Sequence, residues 1–174
     1  AATDDFELDL ALEPQKQPVL QGDDGLSQKS AEAGNASYYY SMTRMATDGS
    51  LRIDGEARNV SGSAWLDREW STSALGPEQA GWDWFALQLA DGSDVMIYHL
   101  RRKDGRPSRF SAGVVVGPDG QTRHLDAGAF DIEVLERWQS PGGPQYPNRW
   151  RIRVPGVDGP LIVEPVRPDQ ELDV

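Results

Sequence analysis

Cysteine is absent from this chain, and histidine is nearly so, with only His99 and His124. Without thiols there is no disulfide and no thiolate metal site, and two histidines do not make a histidine-rich metal centre. Long apolar runs are missing as well: none approaches the ~20 residues of a membrane-spanning helix. Positive charge is scarce, with 17 Lys and Arg against 28 Asp and Glu, giving a formal net charge of -11. Such a surface repels phosphates, so nucleic acid is excluded as a partner. No stretch sustains a helical period, and no motif calls for a cofactor.

Turns and aromatic residues are what the chain has instead. Asp-Gly occurs at residues 24, 48, 54, 91, 104, 119 and 158, counted by the Asp, and short β-rich runs separate most of these pairs. A DG flanked by such runs is the strongest short-range hairpin signal in a sequence. Phe6, Leu8, Leu10 and Leu12 alternate with polar residues as a first strand that stops at Pro14. Gln15 to Asn35 reads as loop, and Ala36 to Met45 as a strand holding Tyr38, Tyr39 and Tyr40. A turn at Asp48-Gly49 is expected to return the chain into Leu51 to Ile53. Later runs end with Trp150, Ile152 and Val154 alternating with Arg149, Arg151 and Arg153, a strand with one buried and one cationic face. About nine or ten strands with turns at this spacing predict an antiparallel sandwich or up-and-down barrel. The 174 residues suit one domain, or one plus a fragment of another.

The organising stretch runs from Gly62 to Arg102 and carries four of the six tryptophans. If its two central runs are extended, Ala64, Leu66, Arg68 and Trp70 share one face, with Trp65, Asp67 and Glu69 on the other. Likewise Trp82 and Trp84 share a face opposite Asp83 and Phe85. Charges set among tryptophans in this way mean either paired ions at a packed interface or a polar site in a lined cavity. On the first reading, Arg68 and Asp83 on adjoining strands form a buried ion pair that fixes register. The loop from Ser71 to Ala80 is a candidate rim. Ser71 and Ser73 lie in it, but no Gly-x-Ser-x-Gly elbow or suitably spaced histidine accompanies them, so no hydrolase triad is visible.

Several stretches taken together resemble a known family: Val19-Leu20-Gln21-Gly22-Asp23 with Gly25-Leu26-Ser27, Ser37-Tyr38-Tyr39-Tyr40-Ser41, the run from Ala64 to Ser71, Gly81-Trp82-Asp83-Trp84-Phe85, Tyr146-Pro147 with Trp150, and Asp169-Gln170-Glu171-Leu172. They are similar to the AttH-like, lipocalin-like family, which includes carotenoid 1,2-hydratases, predicted secreted hydrolases and envelope proteins encoded beside ABC transporters of the lipoprotein-release type. The resemblance spans nearly the whole chain. It implies an all-β, antiparallel lipocalin-like (calycin) β-barrel, preceded by strands from the end of a first similar module. Residues 1–34 would then be the remnant of that module and 35–174 the second barrel. The missing N-terminal module of the same protein is an implied partner, an ABC transporter a further one, and the implied location is periplasmic or secreted. The start at Ala1-Ala2-Thr3-Asp4, without Met, fits a processed or excised polypeptide.

Implied functions follow from the same likeness. The leading expectation is binding of a hydrophobic small molecule, lipid or isoprenoid-like, in an aromatic cavity, with Tyr40, Arg68, Trp70, Trp82, Trp84 and Tyr98 as ligand-binding residues. The enzyme alternative is a cofactor-free hydro-lyase that protonates an isolated double bond, with Asp67, Glu69 or Asp83 as the acid. The hydratase pattern places His and Asn before the tryptophan matching Trp70 and an Asp after the tyrosine matching Tyr98. Here Arg68 stands at the His place, and His99 follows Tyr98. Arginine does not release its proton at neutral pH, and that departure tells against carotenoid hydration. An accessory role beside an ABC transporter, through a tryptophan-rich surface, is the third expectation.

Overall fold

Strand β4 (Ala36–Ile53) is the spine of the protein. Its buried residues are Ser37, Tyr39, Ser41, Thr43, Met45 and Thr47, every second position, so one face of an 18-residue strand points inward. That face is mostly hydroxylic. The computed structural model describes residues 1–3, 5–71 and 75–172, and among them there are strands, turns and loops but no helix.

Around β4 assemble β1 (Phe6–Pro14), β2 (Val19–Leu20), β3 (Leu26–Gln28) and β5 (Glu56–Ser71), all antiparallel to it. The β4–β5 hairpin closes at Asp54-Gly55, whose φ values of 50° and 82° are both positive, as a two-residue type I′ turn requires. The hairpin expected at Asp48-Gly49 does not form. Those residues lie inside β4, facing Ala11 and Leu10 of β1, and a Cβ on Gly49 would come within 2.0 Å of the Asp9 carbonyl oxygen. Glycine is there for the close approach of a neighbouring strand.

Opposite this sheet lies a second, in the order β6 (Gln79–Gln88), β7 (Asp94–Arg102), β8 (Ala112–Val116), β9 (Thr122–Asp126). Met96, Tyr98 and Leu100 of β7 and Val114 and Val116 of β8 meet Val19 and Tyr39 of the first sheet as one buried cluster. Burial of each such apolar side chain is worth roughly 1.5–3 kcal/mol relative to exposure. The two sheets are also tied by Gln88, whose Nε2 donates to the carbonyls of Thr43 (2.8 Å) and Ala64 (3.1 Å). A side chain here does what a ladder of backbone bonds would do in a closed ring. The all-β antiparallel class is as expected, and the described strands form three sheets, none closed on itself.

Contacts divide the chain into two compact units, Ala1–His124 and Leu125–Val174. The second holds the sheet β10 (Asp131–Gln139), β11 (Gln145–Arg153), β12 (Leu161–Val163). Its cationic strand face is not merely solvated: Arg151 meets Glu133 at 2.7 Å and Arg149 meets Glu136 at 2.7 Å, each pair directly opposite in the β10–β11 register. These are cross-strand pairs of the kind that favour one register over its neighbours.

Candidate functional site

A bulge in β4 builds the most deeply buried charged cluster among the described residues of the first unit. Between Met42 and Met45 the register with β5 shifts, so Thr43 and Arg44 are no longer on strictly opposite faces. Both reach Asp94, whose side chain is wholly buried: Thr43 Oγ1 donates at 2.9 Å and Arg44 Nη2 at 2.7 Å. Lys16 Nζ donates to Oδ2 at 2.7 Å and Arg44 Nε to Oδ1 at 3.1 Å, which fills the lone pairs of the carboxylate. Lys16 also lines an open recess with Met42 and Pro118. Asp94 is a lock joining the second sheet to the first.

Further along the same two strands lies an open pocket of about 180 Å³. Tyr39 of β4 and Glu69 of β5 face Trp82, Trp84 and Tyr98 of the second sheet, with Leu75 and Leu100 completing the apolar wall. Trp82 is 58% exposed and Trp84 42%, so the tryptophan side is the mouth. Lys29 enters from the segment after β3. Its Nζ lies 4.7 Å from the Tyr98 ring centroid and 5.4 Å from that of Tyr39, while pairing with Glu69 at 2.8 Å and donating to Ser27 at 3.0 Å. An ammonium over two ring faces is a cation–π arrangement.

The polar groups of the pocket are already engaged. Ser37 donates to Glu69 Oε1 at 2.5 Å, the same oxygen that meets Lys29, so that oxygen accepts from both. Ser27 and the Tyr98 hydroxyl are 3.1 Å apart. Trp84 Nε1 donates to the Tyr39 hydroxyl at 3.3 Å. Burial, reinforced by the charge of Asp67, pushes the Tyr39 phenol well above its ordinary range. Asp67 itself accepts from Ser41, which accepts in turn from the buried Gln21.

The residues singled out from the sequence are thus sorted by strand face. Glu69, Trp82, Trp84 and Tyr98 line the pocket; Asp67 stands behind Tyr39 on the same inner face. Tyr40, Arg68 and Trp70 come together elsewhere, on the outer face of the first sheet, where Arg68 faces Tyr40 in the register and lies 5.8 Å over the Trp70 ring. The Arg68–Asp83 ion pair does not exist. The strands β5 and β6 are not paired, Arg68 is exposed, and Asp83 pairs with Arg101 on its own hairpin at 3.5 Å. Ser73 lies outside the described residues. Among those described, no three His, Cys, Asp or Glu side chains converge as a metal-ligand set.

Tyr39 and Lys29 were not anticipated. For Tyr39 a signal existed: it shares its parity with Ser37, Ser41, Thr43 and Thr47, and that hydroxylic face is the inner one. Hydrophobicity alone favours the wrong side of the strand. Lys29 sits in a segment that reads as loop, and nothing local marks it.

Comparison with known proteins places this geometry. A crystal structure of a Nitrosomonas europaea protein provisionally assigned as AttH superposes with a TM-score of 0.89 at 34% identity, over 99% of this chain and 53% of that one. Kievitone hydratase from Nectria haematococca matches at a TM-score of 0.77 and 20% identity, over 100% of this chain and 53% of its own, a likeness of fold. The chain therefore spans about half the length of these two solved proteins. No curated protein matches it in sequence. The sequence profile of the AttH-like family covers residues 1–174, and the chain belongs to that family.

Proposed function

We propose that the pocket between Tyr39, Trp82, Trp84 and Tyr98 binds a hydrophobic small molecule, lipid or isoprenoid-like, by one apolar end. The observation that carries this reading is the saturation of the pocket's charged groups: Glu69 and Lys29 satisfy one another and their serines, which leaves ring faces and leucines as the free surface. A volume of about 180 Å³ is below the ~300–1,000 Å³ usual for a whole drug-sized ligand, so the pocket takes a terminal branch while the rest of the molecule lies across the exposed tryptophans.

Hydration of an alkene is the second reading, supported by the presence of Glu69 among aromatic rings and by a hydratase with the same fold. Against it, protonation-first chemistry needs a carboxylic acid that can give up a proton, and a carbocation would form beside the Lys29 ammonium. Asp67 accepts from Ser41, Glu69 is paired with Lys29, and Asp83 is paired with Arg101 on the opposite face.

The test is to incubate the chain and its Trp84→Ala variant with a bacterial lipid extract, re-purify each, and identify retained molecules by mass spectrometry. A defined apolar molecule held by the parent and lost from the variant supports the binding reading. The same molecule recovered with one water added shifts the reading to the hydro-lyase. Nothing retained, or equal retention by the variant, overturns the pocket and favours a partner surface such as the outward cluster of Tyr38, Arg68 and Trp70.

A further inference from the structure

Past Thr47, the distal half of the β4–β5 hairpin and β1 form a three-stranded sheet with two unlike faces. Partners opposite one another in register share a face, so the pairs sort the side chains. One face carries Phe6, Leu8, Leu10 and Leu12 of β1 beside Leu51 and Ile53 of β4. Val60 and Gly62 of β5 complete it, and at the turn end Arg58 and Glu56 pair with one another at 3.3 Å. The other face is polar: Glu7, Asp9, Glu13 and Asp48 stand on it, with Arg52 meeting Glu7 at 3.3 Å. It is the apolar face that continues the side of β4 buried from Ser37 to Thr47. Yet Phe6, Leu12 and Ile53 are 42%, 49% and 50% exposed, and a Cβ on Gly62 would meet nothing within 4 Å. A contiguous apolar face left open in this way marks an interaction surface.

We infer that this face seats a second copy of the chain, the two sheets stacking face to face about a two-fold axis. Charge selects the partner. The chain carries a formal net charge of -11, and the polar face, with four carboxylates against one guanidinium, repels another copy. On the apolar face Arg58 and Glu56 cancel, so like copies meet there without that local repulsion. Shape supports self-matching, which a two-fold interface requires. An axis along β4 sets β1 of each copy over β5 of the other, so that Leu10 and Leu12 come down on Val60 and the open space at Gly62. Area suffices as well. Three strands ~4.8 Å apart and about eight residues long cover roughly 14 by 26 Å; with side-chain relief about 600 Å² per copy leaves water, or ~1,200 Å² in all, the lower end of stable interfaces.

The test is sedimentation velocity of the whole chain at ~100 µM in about 0.15 M salt, where charges more than ~8 Å apart are largely screened. Expected is a species of twice the chain mass that dissociates on dilution. Over the same range the amide signals of residues 6–12, 47–53 and 56–62 should move in an ¹H–¹⁵N spectrum while the indole signals of Trp82 and Trp84 stay in place. Leu12→Lys and Ala11→Lys add the same charge at adjacent residues on opposite faces. The first should weaken the dimer by about 10-fold or more, as a lysine buried in an apolar interface demands, and the second should leave it unchanged. A monomer throughout overturns the inference and leaves the face to a different chain, such as the additional length the two solved relatives carry. So does equal weakening by both substitutions, or a dimer whose shifts fall on Tyr38, Arg68 and Trp70 instead. Dilution of the parent chain decides even if a variant fails to fold, and it does not depend on the pocket at Trp82 and Trp84.

Discussion

Two charged regions of the first unit lie on the same pair of facing sheets, at Asp94 and beside Tyr98, four residues apart along β7, or about 13 Å at ~3.3 Å per residue. At Asp94 a carboxylate with no exposed surface meets Lys16, Arg44 and Thr43, and every lone pair has a donor. At Glu69 the carboxylate is 41% exposed, its partner Lys29 is 14% exposed, and the pair sits in a recess with ring faces around it. The same ion chemistry makes a lock in one place and a lining in the other. Enclosure separates them: an ion pair shut away from water is costly to break, whereas one at an open mouth can be solvated when a partner leaves.

The largest expected effect comes from attacking the lock. Asp94→Ala leaves Lys16 and Arg44 facing each other without a counter-charge, and should lower unfolding free energy by about 3–5 kcal/mol in urea titration. A loss within error of zero would erase the contrast with Glu69. Next is Tyr39→Phe, which deprives Trp84 Nε1 of its acceptor and should cost about 1 kcal/mol. The same variant sharpens the comparison through pH. Native Tyr39 keeps its proton to higher pH than the unfolded chain does, so above about pH 10 the native state binds more protons and stability falls as pH rises. In Tyr39→Phe that alkaline decline should be shallower, as thermal unfolding across a pH series would reveal.

Lys29→Met should cost no more than about 1 kcal/mol, because Glu69 remains accessible to water. Retention of an apolar ligand should be undiminished; a stability loss matching that of Asp94→Ala would make the pocket a second lock. Smallest of all, Arg68→Leu should stay within about 0.5 kcal/mol, since its guanidinium is exposed and lies over the Trp70 face.

Alternation of side chains was legible throughout the organising stretch: Arg68 and Trp70 do share a face, as do Trp82 and Trp84. Which face is inward was not, because both sides of β4 and β5 carry aromatic rings and the inner side of β4 is rich in serine and threonine. Strand parity therefore put Arg68 and Trp70 together correctly, while the expected ligand site drew them and Tyr40 to the inner face, and the structure has them on the outer one. Pairing across sheets was harder still. Arg68 and Asp83 lie on consecutive long strands, and only the absence of a β5–β6 ladder sends Asp83 to Arg101 instead. Asp-Gly was a sound turn signal at Asp54 and a false one at Asp48, where the glycine serves a neighbouring strand.

The β4–β5 hairpin has a consequence for how the chain assembles. Its pairs run from Ile53↔Glu56 beside the turn to Ser37↔Ser71 at the open end, so it can zip outward from Asp54-Gly55 using contacts close in sequence. Closing Lys16 onto Asp94 joins residues 78 apart and carries a far greater loop entropy. Folding should therefore be paced by the arrival of the second sheet on a preformed hairpin, with the bulge at Thr43 and Arg44 already holding the donors that Asp94 will meet.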